Sequence, residues 1–111
     1  MIDNPARAGR LMEQLQSCLP IPAFPTKEIV QTRRRGGVKA RLDRALAVKH
    51  VIYAGDEGGI VYDVTPGRDA KQVFLVSITH LRIASDHPLF GPILAYQLER
   101  VRRIAATERA P

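Results

Sequence analysis

The most concentrated chemical signal in this sequence is a run of cationic side chains between residues 31 and 44. The six members are Arg33, Arg34, Arg35, Lys39, Arg41 and Arg44. Asp43 is the only acid among them, so six cations against one anion give a local charge of +5. Guanidinium groups bind phosphate and carboxylate through paired hydrogen bonds. The run therefore predicts an anion-binding site whose partner is nucleic acid or an acidic protein surface.

The setting of the run favours contact with the backbone of a polyanion. Gly36 and Gly37 break the chain, and apolar spacing from 38 to 48 predicts a short helix whose first amides add to the positive potential. A continued strand is the alternative for 38–48, and a solvated basic edge that prevents aggregation is the alternative for the arginines. Since no aromatic residue lies among them, single-strand stacking is disfavoured relative to duplex or backbone contact.

A second possible chemistry involves histidines and aspartates. His80, Asp86 and His87 are close in sequence, and a hairpin can place His50 opposite Asp63. Metal sites usually repeat their ligands at tight spacings, which these residues do not. A cross-strand pair is the simpler interpretation of His50 and Asp63. We therefore assign no catalytic or metal-binding residue and expect no cofactor; a small enzyme or metal-binding protein using these side chains is the alternative hypothesis.

Length and composition predict one domain over residues 1–111. The net charge is +6, with 45% hydrophobic and 25% charged residues, which is typical of a globular chain. Cys18 is the only cysteine, which excludes an intrachain disulfide and favours a reducing compartment. Since the first residues lack the apolar run of a signal peptide, and no stretch reaches the roughly 20 apolar residues of a membrane span, we expect a cytoplasmic protein without membrane contact.

The elements that must position these groups are centred on three β-rich segments. They span 49–54, 60–65 and 72–79, with Gly-marked turns at 55–59 and 65–69. The first turn predicts a hairpin in which residues whose numbers sum to 113 are paired, which places His50 opposite Asp63. The third segment continues to residue 83 and is expected at or near the centre of the sheet, because it is almost continuously apolar.

Helices are expected at both ends of the chain. Asp3 or Asn4 can cap a first helix with Pro5 at its first position. Its apolar stripe includes Leu11 and Leu15. Residues 20–25 are interpreted as an extended connector and 26–34 as a weak edge strand. A final helix runs from about residue 91 to 107 with an apolar stripe at Leu94, Leu98, Val101 and Ala105.

The sequence thus predicts an α+β fold: a small antiparallel sheet of three to four strands flanked by N- and C-terminal helices. Both faces of the predicted hairpin are substantially apolar, and two or three short helices can hardly cover them. We therefore expect a homodimer. The leading functional hypothesis is a small non-catalytic binding module with an anionic partner. A protein–protein regulatory subunit that binds through an exposed sheet face is a further alternative.

Overall fold

The computed structural model describes residues 2–35, 41–65 and 73–109, and it confirms the α+β class with flanking helices. Within these ranges the helices are α1 (Pro5–Ser17), α2 (Lys27–Arg35), α3 (Gly55–Gly58) and α4 (Phe90–Arg109). The strands are β1 (Ile21–Pro25), β2 (Leu46–Val48), β3 (His50–Tyr53), β4 (Ile60–Asp63), β5 (Leu75–Ser77) and β6 (Leu81–Ile83). The helices at the two ends of the chain are the flanking pair.

Two antiparallel three-stranded sheets surround one core. Their strand orders are β2–β1–β6 and β3–β4–β5. The chain passes from the first sheet to the second through Lys49, between β2 and β3, and returns through a 3₁₀ turn at Ile78–His80, between β5 and β6. Each outer strand of one sheet therefore continues into an outer strand of the other. Buried side chains from both sheets form a single cluster with α1 and α4.

Helix α1 forms as its sequence predicts. Asn4 is the N-cap, and its side-chain oxygen accepts hydrogen bonds from the amides of Ala6 (3.1 Å) and Arg7 (3.2 Å). These bonds satisfy donors that have no partner inside the helix. Leu11 and Leu15 are buried against the core. The predicted apolar stripe is confirmed at these positions.

The hairpin register is also confirmed. Strand β3 pairs with β4 so that His50 lies opposite Asp63 and Tyr53 opposite Ile60. The connection is one helical turn, α3, and Gly59 at its end has φ +67°, a conformation that glycine adopts without steric cost. The side chains at 51, 60, 62 and 64 face the core, whereas His50 and Ile52 are exposed.

Residues 20–25 were expected to be a connector, and this expectation is wrong. Residues Ile21–Pro25 form β1, the middle strand of the first sheet. Its first half pairs with β2 and its second half with β6, and only Ala23 is paired on both sides. Because Pro22 and Pro25 each lie in a half with one neighbouring strand, their missing amide hydrogens do not interrupt two ladders at once.

Two further assignments around the basic run are corrected. The weak strand at 26–34 is helix α2, which buries Val30 and Arg33 at a spacing of three and carries its arginines in the last turn, where the helix dipole favours cations. The helix predicted at 38–48 is absent from its described part, since 41–45 are irregular and Leu46–Val48 form β2. Residues 38–40 lie outside the described ranges.

The third apolar segment does not form one central strand. It supplies β5 at the edge of the second sheet and β6 at the edge of the first, with the 3₁₀ turn between them. The hydroxyl of Ser77 accepts a hydrogen bond from the amide of Thr79 at 3.3 Å, which stabilises this change of direction. Strand β4 is central in the second sheet instead.

Helix α4 is rotated relative to the prediction. Leu94, Leu98 and Val101 are 36%, 63% and 55% exposed, whereas Ile93 and Arg100 are buried. Arg100 faces inward because its charge is compensated there, as described below. Among the residues that the structure describes, no helix is long and apolar enough to cross a membrane.

Candidate anion-binding site

A groove lies between α2 and the irregular segment that precedes β2. Helix α2 contributes Lys27, Gln31 and Arg34, whose spacings of four and three residues place them on one helix face. Arg41 and Asp43 contribute from the opposite side. The groove has a volume of about 380 Å³. It brings together cations that are separated by up to fourteen positions in the sequence.

Among the described residues that line this groove, Arg41 is the only cation with a hydrogen-bonded carboxylate partner. Arg41 donates from Nε and a terminal nitrogen to the two carboxylate oxygens of Asp43, at 3.1 and 3.2 Å, and both side chains are largely exposed. The ion pairs of the described residues do not include Lys27 or Arg34. Three cations against one anion leave the groove with a charge of +2, which is suited to a phosphate or carboxylate ligand.

Arg33 does not belong to this surface. Its exposed fraction is 3%, so Arg33 does not offer the guanidinium at the surface that the predicted anion-binding site requires. It donates a 3.2 Å hydrogen bond to the carbonyl oxygen of Val64, and its guanidinium carbon lies 4.7 Å from the centroid of the Phe74 ring. Its Nε is buried without a hydrogen-bond partner. Burial lowers the pKa of Arg33, since desolvation disfavours the charged form.

The remaining predicted residues are placed as follows. Arg35 and Arg44 are exposed and close in sequence to residues that line the groove, but they do not line it themselves. Lys39 lies outside the described residues. The segment of the predicted helix that is described is turn and strand, so no helix amides there add to the site.

Sequence reasoning missed Lys27. Had residues 27–35 been interpreted as a helix, the spacing of Lys27, Gln31 and Arg34 would have placed all three on one face. The sequence feature that indicates this helix is Glu28 in the first turn together with arginines in the last turn. This order of charges stabilises a helix through its dipole, and it has no such effect on a strand.

His50 and His87 each make a local polar contact. His50 Nδ1 lies 3.3 Å from a carboxylate oxygen of Asp63, on the exposed face of the second sheet. His87 Nδ1 accepts a 3.0 Å hydrogen bond from the amide of Leu89, just before α4. In ranges 2–35, 41–65 and 73–109, no group of three or more His, Cys, Asp or Glu side chains is arranged to hold a metal ion.

A buried polar network that the sequence did not indicate joins the N-terminal segment to α4. Arg100 donates to Asp3 Oδ1 at 2.9 Å, and the side chains are 3% and 2% exposed. Asp3 Oδ2 accepts hydrogen bonds from the hydroxyls of Tyr96 (2.7 Å) and Tyr53 (3.0 Å). The carboxylate thus has three donors, which compensates its removal from water.

The turn between β3 and β4 completes this network. Arg100 also donates to the carbonyl oxygens of Asp56 and Glu57. A Cβ built on Gly59 would lie 2.6 Å from the Arg100 guanidinium, so only glycine permits this approach. The Asp56 carboxylate in turn accepts hydrogen bonds from the backbone amides of Ile2 and Asp3, with three N–O distances of 2.8 Å, and these hydrogen bonds lower the pKa of Asp56.

The chain matches no known family model, no curated protein and no solved structure with which it was compared. The function of this protein is therefore inferred from its own side chains alone.

Proposed function

We propose that this protein is a small non-catalytic binding module that engages an anionic partner through the groove lined by Lys27, Arg34 and Arg41. One observation carries the proposal: three cations from two separate segments surround one groove with a single carboxylate. A solvated basic edge does not require such convergence, because charges that only prevent aggregation can be scattered.

Nucleic acid is the partner that the site favours. Lys27 and Arg34 lie seven residues apart on the same face of α2, which is about two helical turns or 10.5 Å. Both side chains are long and flexible, so they can contact separate phosphates of one nucleic-acid strand. Phosphate contacts supply most of non-specific affinity and make it depend on salt. An acidic protein surface is the other outcome of the test.

The experiment measures binding of labelled duplex and single-stranded oligonucleotides at several salt concentrations. Arg34→Gln with Arg41→Gln removes two groove cations. The control, Arg10→Gln with Arg82→Gln, removes the same charge from exposed positions elsewhere. The slope of log K against log salt is negative for duplex DNA. The groove variant is expected to make it less steep by about 1.8, since each lost phosphate contact removes about 0.9.

Equal losses in the groove variant and the control would show that only net charge matters, and the proposed site would be wrong. Binding of an acidic protein without binding of either nucleic acid would identify the other partner class. Arg33 is left intact in these variants, because a buried arginine affects folding rather than surface charge.

We further propose that the chain forms a homodimer through the outer face of the β3–β4–β5 sheet. On this face Ile52 lies opposite Val61, whereas Leu75 lies opposite Asp63 and diagonal to Val61; Ile52 and Leu75 are 44% and 52% exposed. His50 and Asp63 are paired on the same face, and Asp63 lies between His50 and Leu75. A two-fold contact uses the same patch on both copies, and a patch that carries both a base and an acid is complementary to itself. The cytoplasm is the location we propose, since the single cysteine fits a reducing compartment.

A further inference from the structure

A second cavity lies on a different part of the molecule, between the N-terminal segment, α1 and α4. Its volume is about 270 Å³. The residues that matter for its chemistry are Ile2, Arg7, Pro92, Ala95, Tyr96 and Glu99. It shares no lining residue with the groove beside α2. Its ligand chemistry can therefore be considered and tested separately from the proposed function.

The interior of this cavity offers mainly apolar contacts. Ile2, Pro92 and Ala95 contribute aliphatic surface. The hydroxyl of Tyr96 is engaged by Asp3 and by the amide of Ile60 (3.1 Å), so what Tyr96 adds to the lining is its ring. Asp3 and Arg100 also border the cavity, but their charges compensate each other. A ligand inside would gain free energy from leaving water.

The charged rim of the cavity is cationic. Glu99 has three arginine neighbours: Arg7 at 3.7 Å, Arg102 at 3.8 Å and Arg103. Arg102 and Arg103 do not line the cavity, but they compensate the charge of Glu99, and Asp3 compensates Arg100, so Arg7 is the lining cation whose charge is left over. The 3.7 Å separation of Arg7 from Glu99 is too long for a hydrogen bond, and the Arg7 side chain is 69% exposed. Its guanidinium donors therefore remain available to another acceptor.

We propose that this cavity binds a small amphipathic anion, with an aromatic or short alkyl body against Ala95 and Tyr96 and a carboxylate on Arg7. The volume is just below that of typical sites for drug-sized ligands, which favours a body of one aromatic ring. An apolar body selects against simple ions such as acetate. The rim charge selects against neutral and cationic molecules of the same shape.

The test uses three probes: 3-phenylpropionate, the neutral 3-phenylpropan-1-ol and acetate. Each is titrated into ¹⁵N-labelled full-length protein, and amide chemical shifts are followed. Saturable shifts at Ala95 and Tyr96 are expected with 3-phenylpropionate. The alcohol is expected to bind at least about tenfold more weakly, which corresponds to about 1.4 kcal/mol, and acetate should produce no saturable shift at these residues. Equal binding of the alcohol would overturn the anionic specificity, and no saturation by about 10 mM phenylpropionate would overturn the site.

Two substitutions and a matched control locate the ligand. Ala95→Phe fills the cavity, and Arg7→Gln removes the group that holds the carboxylate. Each is expected to weaken phenylpropionate binding at least about tenfold. Ala106→Phe is the control, since Ala106 is exposed on the same helix about 16 Å further along its axis. Wild-type affinity in Ala95→Phe, or an equal loss in Ala106→Phe, would contradict the proposal. Because Ala95 is exposed, the fold is expected to survive, and a thermal melt verifies this.

Discussion

Arg100 and Asp3 form an ion pair of 2.9 Å across 97 positions of sequence, and the two side chains are 3% and 2% exposed. The pair connects the residues before α1 to the middle of α4. Since Arg100 also binds two carbonyl oxygens of the turn after β3, a single guanidinium holds three parts of the chain together. This contact sets the rotation of α4 and hence which apolar side chains of that helix remain exposed.

Arg100→Met is expected to reduce the free energy of unfolding by about 3–5 kcal/mol. The physical reason is that the Asp3 carboxylate stays buried without its counter-charge. Urea denaturation monitored by circular dichroism measures the change. Arg102→Met is the matched control, because the Arg102 side chain is 74% exposed and its loss should change stability by no more than about 0.5 kcal/mol. A loss below about 1 kcal/mol in Arg100→Met would show that the pair is not important for stability.

This network marks the limit of what the sequence could predict about α4. Periodicity finds the apolar stripe at Leu94, Leu98 and Val101, and treats Arg100 as a surface residue. An arginine faces inward only when a carboxylate and carbonyls meet it there, and those partners come from residues 3, 56 and 57. No local pattern contains that information. The helix itself was predictable, but its rotation was not.

The hairpin and the first helix were predictable because their determinants are local. The register of β3 and β4 follows from one turn, and the start of α1 follows from Asn4 and Pro5. The first sheet is different, since β1 lies between two strands that are distant in sequence. The prolines of β1 argue against a central strand if each residue is assumed to pair with a strand on both sides. The staggered pairing that makes them acceptable is a tertiary property.

The candidate site was partly predictable for the same reason. Charge clustering identified Arg34 and Arg41, which the structure brings to one groove. It did not distinguish them from Arg33, because burial of Arg33 depends on the ring of Phe74, just before β5, and on the carbonyl of Val64, just after β4. Neighbouring arginines on a helix point in directions about 100° apart, so one can be internal while the next is a surface cation.

Arg33 and Phe74 are expected to be energetically coupled. A guanidinium 4.7 Å from a ring centroid and removed from water interacts favourably with the negative face of the ring. A double-mutant cycle with Arg33→Met and Phe74→Leu should give a coupling free energy of about 0.5–2 kcal/mol. Denaturant unfolding of the four proteins measures it. The pair Arg35→Met and Phe74→Leu is the control, because Arg35 is exposed on the same helix. Additive effects of the Arg33 and Phe74 changes would mean that the contact contributes nothing.

The stability of the protein is expected to fall as the pH drops below about 4. Hydrogen bonds from the hydroxyl (2.6 Å) and the amide (3.0 Å) of Thr65 lower the pKa of Asp63 in the folded state. A carboxyl whose folded pKa is depressed contributes its full stabilisation above the unfolded pKa, which is about 3.9 for aspartate. That contribution is lost progressively as the pH falls through the lower, folded pKa.

Unfolding free energies of wild type and Asp63→Asn between pH 7 and pH 2 check this sign. Asparagine keeps an acceptor oxygen for Thr65 but does not titrate, so the variant should show a weaker decline at acidic pH. Asp86→Asn removes a charge from an exposed turn and serves as the control. If wild type and Asp63→Asn decline in parallel, the Thr65 hydrogen bonds do not stabilise the ionised form.

Disruption of the outer face of the β3–β4–β5 sheet is expected to dissociate the proposed homodimer. Sedimentation equilibrium at tens of micromolar should give wild type a mass of about twice 12.3 kDa, and Leu75→Lys a mass near 12.3 kDa. Leu75 lies opposite Asp63 and diagonal to Val61, so lysine at this position places a charge within the proposed contact, where desolvating it is costly. The change should leave the monomer folded, since Leu75 is 52% exposed.

Leu98→Lys is the control that separates this face from α4, where Leu98 is 63% exposed. A dimer that survives Leu98→Lys and dissociates with Leu75→Lys assigns the contact to the sheet. The reverse result would assign it to the α4 stripe, because that is the other described surface with several exposed apolar side chains along one element. A wild-type mass near 12.3 kDa at tens of micromolar would show that neither face binds a second copy. Ile52 and Leu75 would then be in contact with solvent, as many apolar side chains on protein surfaces are.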